Sequence, residues 1–296
     1  MKFNLKQGVI PILLASVLWG IGYFLRKIIV NDIHPILFTF FTGLFVALAI
    51  MLYYKIGFTK FYLLFKEHPL EYLIISFFGT VFGATFMFFS MQMLDVSVVS
   101  LLEKLQPVFT LFLAYFILKE NIKLKTIPYV MIAIVSSYFI STENPFTFSI
   151  QNSQAIGSLL IIAAAFCWAL TSVIGKKVVD AKGYTKEITL MRLGIGAVIL
   201  FPLFLLKGPL NLYITYSLKV FTIIIFTSIF CTGLAFILYY RGLKHTKAST
   251  AGFLELVTPI VTVFLGITFL KETLVLSQFL AMPFLLYSIY KISVYH

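Results

Sequence analysis

Ser97–Glu120 reads SVVSLLEKLQPVFTLFLAYFILKE, and Ser249–Glu272 reads STAGFLELVTPIVTVFLGITFLKE. Aligned without a gap, the two stretches agree at ten positions. These are Ser97/Ser249, Leu102/Leu254, Glu103/Glu255, Pro107/Pro259, Thr110/Thr262, Phe112/Phe264, Leu113/Leu265, Leu118/Leu270, Lys119/Lys271 and Glu120/Glu272. An apolar composition supplies chance matches of Leu and Phe. It does not readily supply Glu, Pro and Lys-Glu at one shared spacing. A weaker echo pairs Trp19 with Trp168 and Lys27 with Lys176 at nearly the same offset. The chain therefore reads as two copies of a unit of about 150 residues.

The material of that unit is set by composition. Of 296 residues, 60% are hydrophobic and only 11% are charged. A soluble domain carries roughly 25% charged residues, so this chain lacks the charge to cover a surface in water. Its natural solvent is lipid, where helices satisfy their own backbone groups. A spanning helix needs about 20 mostly apolar residues. Ten segments meet that need, near 9–29, 35–54, 70–90, 96–118, 125–142, 155–176, 187–207, 216–240, 248–270 and 274–294. The first follows Lys2 and Lys6 like a signal peptide, but it runs past Trp19 with no A-x-A site and reads as a retained helix. A hydrophilic connection from Ser141 to Gln154, with Pro145, divides the chain at its midpoint. Five helices per unit is an odd number, so the second copy should run inverted to the first. The expected fold is an all-α integral membrane protein, with ten transmembrane helices as two inverted five-helix repeats at 9–142 and 155–294.

Charge is consistent with that reading. The net charge of +12 could suggest nucleic acid, but the basic residues lie in short clusters between apolar runs, so no nucleic-acid partner is expected. With the N-terminus inside, 16 Lys and Arg fall in inside segments and five, including Arg26 and Lys27, in outside ones. This bias favours both termini in the cytoplasm, in a bacterial inner membrane. Cys167 and Cys231 sit in apolar runs and read as small buried hydrophobes. There is no CxxC, HExxH or GxxxxGK, so no metal, cofactor or nucleotide hydrolysis is expected. Four scattered histidines, His34, His68, His245 and His296, carry no ligand spacing.

The two five-helix halves, a Trp in the first helix of each, the E-x-x-x-P and the K-E helix ending together resemble the drug/metabolite transporter superfamily, EamA type. The resemblance spans roughly 9–141 and 155–291. It implies two inverted bundles around a central cavity lined mainly by helices 1, 3, 4, 6, 8 and 9, and metabolite movement, often export. In that family the second helix of each half often carries an Arg. Arg192 supplies it in the second half, and Thr42 stands in the first.

Candidate site residues follow from the cost of polar groups in lipid. A charge at a helix centre costs about 2.5–3.5 kcal/mol on translocon scales. Glu103, Lys104 and Glu255 should therefore face a cavity or pair with one another. Pro107 and Pro259 lack the N–H that would bond the carbonyls of Glu103 and Glu255. Each helix should kink there and leave a free carbonyl beside a carboxyl. That patch suits an ammonium group or a proton, or else the two acids form a locked pair with Lys104. Trp19 and Trp168 are expected to stack on substrate, and Tyr239, Tyr240 and Gln92 to line the cavity. Lys119-Glu120 and Lys271-Glu272 read as interfacial anchors that cap the loops. Gly79-x-x-x-Gly83 reads as a helix-packing face.

The expected function is a secondary active transporter of a small metabolite, an amino acid or a cationic or aromatic compound. It would work by alternating access, as an exporter, with proton coupling a further expectation. Uptake or exchange of a choline-like or nucleotide-like metabolite is the alternative within the class. A membrane-embedded lipid-handling enzyme is the alternative outside it, but no nucleophile with an oriented base is evident. The expected partners are the small-molecule substrate and the lipid bilayer, with the chain a monomer or a homodimer.

Overall fold

The computed structural model describes residues 5–118, 123–143, 152–182, 184–207, 217–246, 251–252 and 254–295. Among these residues there is no strand. The helices are α1 (Ile10–Ile28), α2 (Pro35–Tyr53), α3 (Phe58–Glu67), α4 (Pro69–Ser76), α5 (Thr85–Met93), α6 (Val96–Leu102) and α7 (Gln106–Leu118) in the first part of the chain. Then come α8 (Ile127–Ser141), α9 (Ser153–Lys182), α10 (Lys186–Lys207), α11 (Leu218–Ser228), α12 (Ala235–Leu243), α13 (Val257–Leu265) and α14 (Leu276–Tyr295).

Eight helical segments are long and apolar enough to cross a bilayer: Gln7–Ile28, Pro35–Tyr53, Pro69–Met93, Val96–Ile117, Leu124–Ser141, Ser153–Val179, Lys186–Leu206 and Leu218–Leu243. Val257–Leu270 is apolar but shorter. Helix α14 has the length, yet Gln278, Lys291 and several tyrosines lower its hydropathy. The outward faces carry side chains that water would not tolerate in such numbers, among them Leu48, Phe116, Phe264 and Phe284. In a bilayer these are simply the lipid-facing surface. The short amphipathic α3, which falls between the expected spans 35–54 and 70–90, packs on α4 and α10 and buries only Leu64.

Three features position the site. The first is a break at each glutamate. Helix α6 ends at Leu102, a 3₁₀ turn covers Glu103–Leu105, and α7 restarts with Pro107 in its first turn. The matching stretch turns at Glu255–Leu256 before α13. The breaks fall where the prolines required, but the carbonyls are not left free as expected. The Glu103 carbonyl accepts from the Gln106 N–H, and the Glu255 carbonyl accepts from the Thr258 N–H at 3.0 Å. A tighter i→i+3 turn replaces the bond that proline cannot make.

The second feature is a pair of π-helical stretches, Phe77–Ala84 between α4 and α5 and Ile229–Leu234 between α11 and α12. They begin 152 positions apart, the same offset as Ser97 and Ser249. The third is the packing order. Helix α2 packs on α10, and α8 packs on α14. Helix α1 packs on α12 and α13, while α9 packs on α5 and α7.

At one end of the bundle the Lys271-Glu272 pair closes an unexpected contact. Lys271 adopts φ 59°, which turns the chain back after the π-helical Gly266–Leu270. The buried Glu272 carboxylate then accepts from the Val96 N–H at 2.7 Å, the Ser97 N–H at 3.1 Å and the Ser97 hydroxyl at 2.6 Å. It is a cap for α6, supplied from 175 residues away. It is not the interfacial anchor that the K-E ending suggested. Lys27 completes this end by donating to the carbonyls of Met91 and Leu94, at 2.7 and 2.6 Å. Burial and the neighbouring Glu272 carboxylate push the Asp95 carboxyl up from its ordinary value. Lys119 and Glu120 lie outside the described residues.

Candidate substrate cavity

A cavity of about 880 Å³, open space at its mouth included, lies between the helices at the level of the two breaks. Trp19, Trp168, Glu103, Glu255, Tyr239 and Tyr240 all line it. These six residues come from α1, α9, the two broken segments and α12, brought together from across the chain. Lys104 stands just behind the wall, buried, with Nζ 3.5 Å from a Glu103 oxygen. Gln92 is not in the lining. It lies one layer away and donates to the Val30 carbonyl at 3.0 Å. On α5 its register aims at the α1 end, which separates it from a cavity centred one and more turns earlier, at Ala84 and Met87.

The acidic groups are partnered. The Tyr23 hydroxyl donates to Glu103 at 2.6 Å, so a tyrosine on α1 reads the break between α6 and α7. Tyr239 on α12 lines the cavity beside Glu255, and Lys104 and Glu103 are close enough to act electrostatically on Glu255. A buried carboxylate needs such partners. Trp19 stands edge-on to Phe236 with ring centres 5.4 Å apart and lies 5.3 Å from Tyr239.

Two arginines complete the wall. Arg26, which charge sidedness placed in an outside loop, is buried in α1 and faces the cavity. Its Nη2 donates to the Thr232 hydroxyl at 2.6 Å. Arg192 lies over the Phe236 ring at 4.3 Å and donates from Nη2 to the Gly79 carbonyl at 3.1 Å. Trp168 donates to that same carbonyl at 2.9 Å. Gly79 therefore serves as an acceptor for both α9 and α10, and the widened π turn exposes its carbonyl. The G-x-x-x-G spacing marked a close approach, but not this role. Gln106, Ser172, Thr42 and Thr80 also line the cavity, with Gln106 donating to Ser172 at 3.2 Å. A polar residue following E-K-L at a proline break was the available signal for Gln106. No group of three metal-type ligands occurs among the described residues.

The comparisons with known proteins agree on one class. The model of the EamA-like transporter family matches residues 6–142 and again 155–294. An "Uncharacterized transporter" of Methanothermobacter thermautotrophicus is 26% identical, covering 92% of this chain and 81% of that protein. The "Uncharacterized transporter YoaV" of Bacillus subtilis is 24% identical over 91% of this chain and 90% of its own length. The "Riboflavin transporter ImpX" of Fusobacterium nucleatum is 23% identical, covering 88% of each chain. A solved crystal structure superposes with a TM-score of 0.67, covering 95% of this chain and 94% of that one at 14% identity, which shows a shared fold.

Proposed function

Because the chain belongs to the EamA-like transporter family and is a multi-pass membrane protein, we propose that it is a secondary carrier that moves a small metabolite through the cavity at the Glu103/Glu255 level. The observation that carries this reading is chemical. Two arginines, two glutamates and two indoles line one internal space within an apolar shell, and ionisable groups at membrane depth are retained where they face a pathway. The two tryptophans and Tyr239 suit a substrate with a flat ring, an amino acid or another small aromatic metabolite. A flavin is a second reading, favoured by the same indoles and by the name of the Fusobacterium relative. Export is the direction that the family resemblance suggests. The carrier works as a monomer or a homodimer.

We further propose ten spans in two inverted halves, in a bacterial cytoplasmic membrane with both termini inside. The packing order supports this. The second and fifth helices of each half meet their own counterparts, α2 with α10 and α8 with α14. The first helices exchange partners reciprocally, as a two-fold axis in the membrane plane would require. Cysteines at Lys119 and Lys271, in a chain whose Cys167 and Cys231 are replaced by Ala, should react with impermeant thiol reagents from opposite sides. Labelling from the same side would overturn the inverted arrangement.

Transport is tested by counterflow in proteoliposomes loaded with a metabolite mixture. Glu103→Gln and Glu255→Gln should each slow exchange by about tenfold or more, since each leaves Tyr23, Tyr239 or Lys104 without its charged partner. If the carrier is proton-coupled, the same variants should flatten the rate between about pH 5 and pH 8. Wild-type rates and pH dependence in both variants would sink the role of the acids. Turnover of lipid with no solute flux would favour an enzyme instead.

A further inference from the structure

Counting charge around the cavity gives an imbalance that the acids do not settle. Glu103 and Glu255 face it, but so do Arg26 and Arg192, and Lys104 lies against Glu103. Three cations stand against two carboxylates. Both carboxylates already have neutral and charged partners in Tyr23, Tyr239 and Lys104. The arginines hydrogen-bond only neutral groups. A guanidinium offers five N–H donors. Among the described residues Arg26 uses Nη2 on the Thr232 hydroxyl, and Arg192 uses Nη2 on the Gly79 carbonyl. The Nε atoms of both are buried with no hydrogen-bond partner. Both side chains are more than nine-tenths buried, at 6% and 5% exposure.

Glycine lets helix backbone pack closely against both guanidinium groups. A Cβ on Gly79 would come within 2.9 Å of Arg192 Nε, and one on Gly22 within 3.4 Å of Arg26 Nη1. An unpaired buried donor on a charged group is costly, and two of them in one cavity leave the cavity short of an anion.

We propose that Arg26 and Arg192 form an anion subsite, so that the substrate carries a carboxylate-type group held by the arginines and a ring held between the indoles. This rests on the carrier reading and narrows its substrate class. It runs against the ammonium site that the two glutamates suggested, because an ammonium would have to displace Tyr23 or Lys104 to reach Glu103. A carboxylate fits the planar fork of a guanidinium and requires neither Tyr23 nor Lys104 to move.

The test uses binding, not transport. Trp19 and Trp168 are the only tryptophans of the chain, and both line the cavity. Intrinsic tryptophan emission of the purified protein therefore reports on this space alone. Three probes share one ring and differ in charge: phenylacetate, phenylacetamide and phenethylamine. Phenylacetate should bind about tenfold more tightly than the amide, with the amine no better than the amide. Arg26→Gln and Arg192→Gln should each remove most of that preference. The proposal is overturned if the amine binds tightest, if the three probes bind alike, if none gives a saturable change, or if both variants keep the wild-type preference. Should either variant fail to fold by size exclusion, the wild-type order of the probes decides by itself. A protein that binds phenylacetate but gives no counterflow would sink the carrier reading and leave the subsite standing. One that carries only amines would do the reverse.

Discussion

Glu272→Ala should lower the stability of the detergent-solubilised protein by about 3–5 kcal/mol, the largest loss expected from a single substitution at this end of the bundle. Hydrogen bonds to a charged group contribute roughly 1.5–3 kcal/mol each, and Glu272 accepts three, from the Val96 N–H, the Ser97 N–H and the Ser97 hydroxyl. Truncation leaves two amides at the start of α6 with no acceptor in a segment whose seven residues are all buried. Glu272→Gln keeps one carbonyl oxygen and should lose about half as much. Gly266→Ala gives an independent check. Its Cβ would lie 2.5 Å from a Glu272 carboxylate oxygen and 2.8 Å from the Ser97 hydroxyl, so it should reproduce most of the loss without touching a charge. Thermal melts of the three variants measure the order. A melt of Glu272→Ala that coincides with wild type would show that the cap contributes nothing.

Gly83→Val should be as damaging, and for a different reason. A Cβ there would lie 2.6 Å from the Trp168 indole nitrogen, well inside contact distance. The indole must move, and its 2.9 Å bond to the Gly79 carbonyl must break. Overpacking costs typically 1–3 kcal/mol, and the lost hydrogen bond adds about 1 kcal/mol. The effect on function should exceed the effect on stability, because Trp168 is displaced within the cavity wall. Counterflow should fall below about a tenth of wild type. Tryptophan emission should shift to the red as one of the two indoles meets water. Normal transport with unshifted emission would remove Trp168 and the π-helical segment from the site.

How far the sequence led is best seen residue by residue. Eight of the ten expected spans were legible because a bilayer demands long apolar runs whatever else a chain does. The breaks at Glu103 and Glu255 were legible because proline acts on its own turn, and local chemistry needs no knowledge of the fold. The convergence of Trp19, Trp168, Glu103 and Glu255 on one cavity followed from their depth in the helices. Contacts between distant segments were not legible. Glu272 looked interfacial because its partners are backbone amides of Val96 and Ser97, which no side-chain pattern advertises. Arg26 looked like a loop cation because it lies near a helix end; only packing against Thr232 reveals that it turns inward. Gln92 looked like a cavity residue because its helix is a cavity helix, and its rotation about that helix was unknown. Sequence periodicity could not fix that rotation.

The widened turns at Phe77–Ala84 and Ile229–Leu234 explain why. Each π turn admits one residue more than an α-helix needs, so the stripe that faces inward before it is out of phase with the stripe that faces inward after it. A single-residue deletion within either segment would straighten the hydrogen-bond ladder yet rotate everything downstream by about 100°, carrying Met87 or Tyr239 off the cavity wall. Length in these two helices is therefore more tightly constrained than side-chain identity. Away from Gly79 and Gly83, which meet Arg192 and Trp168, substitutions can accumulate there, but shortening by one residue would misphase half a helix.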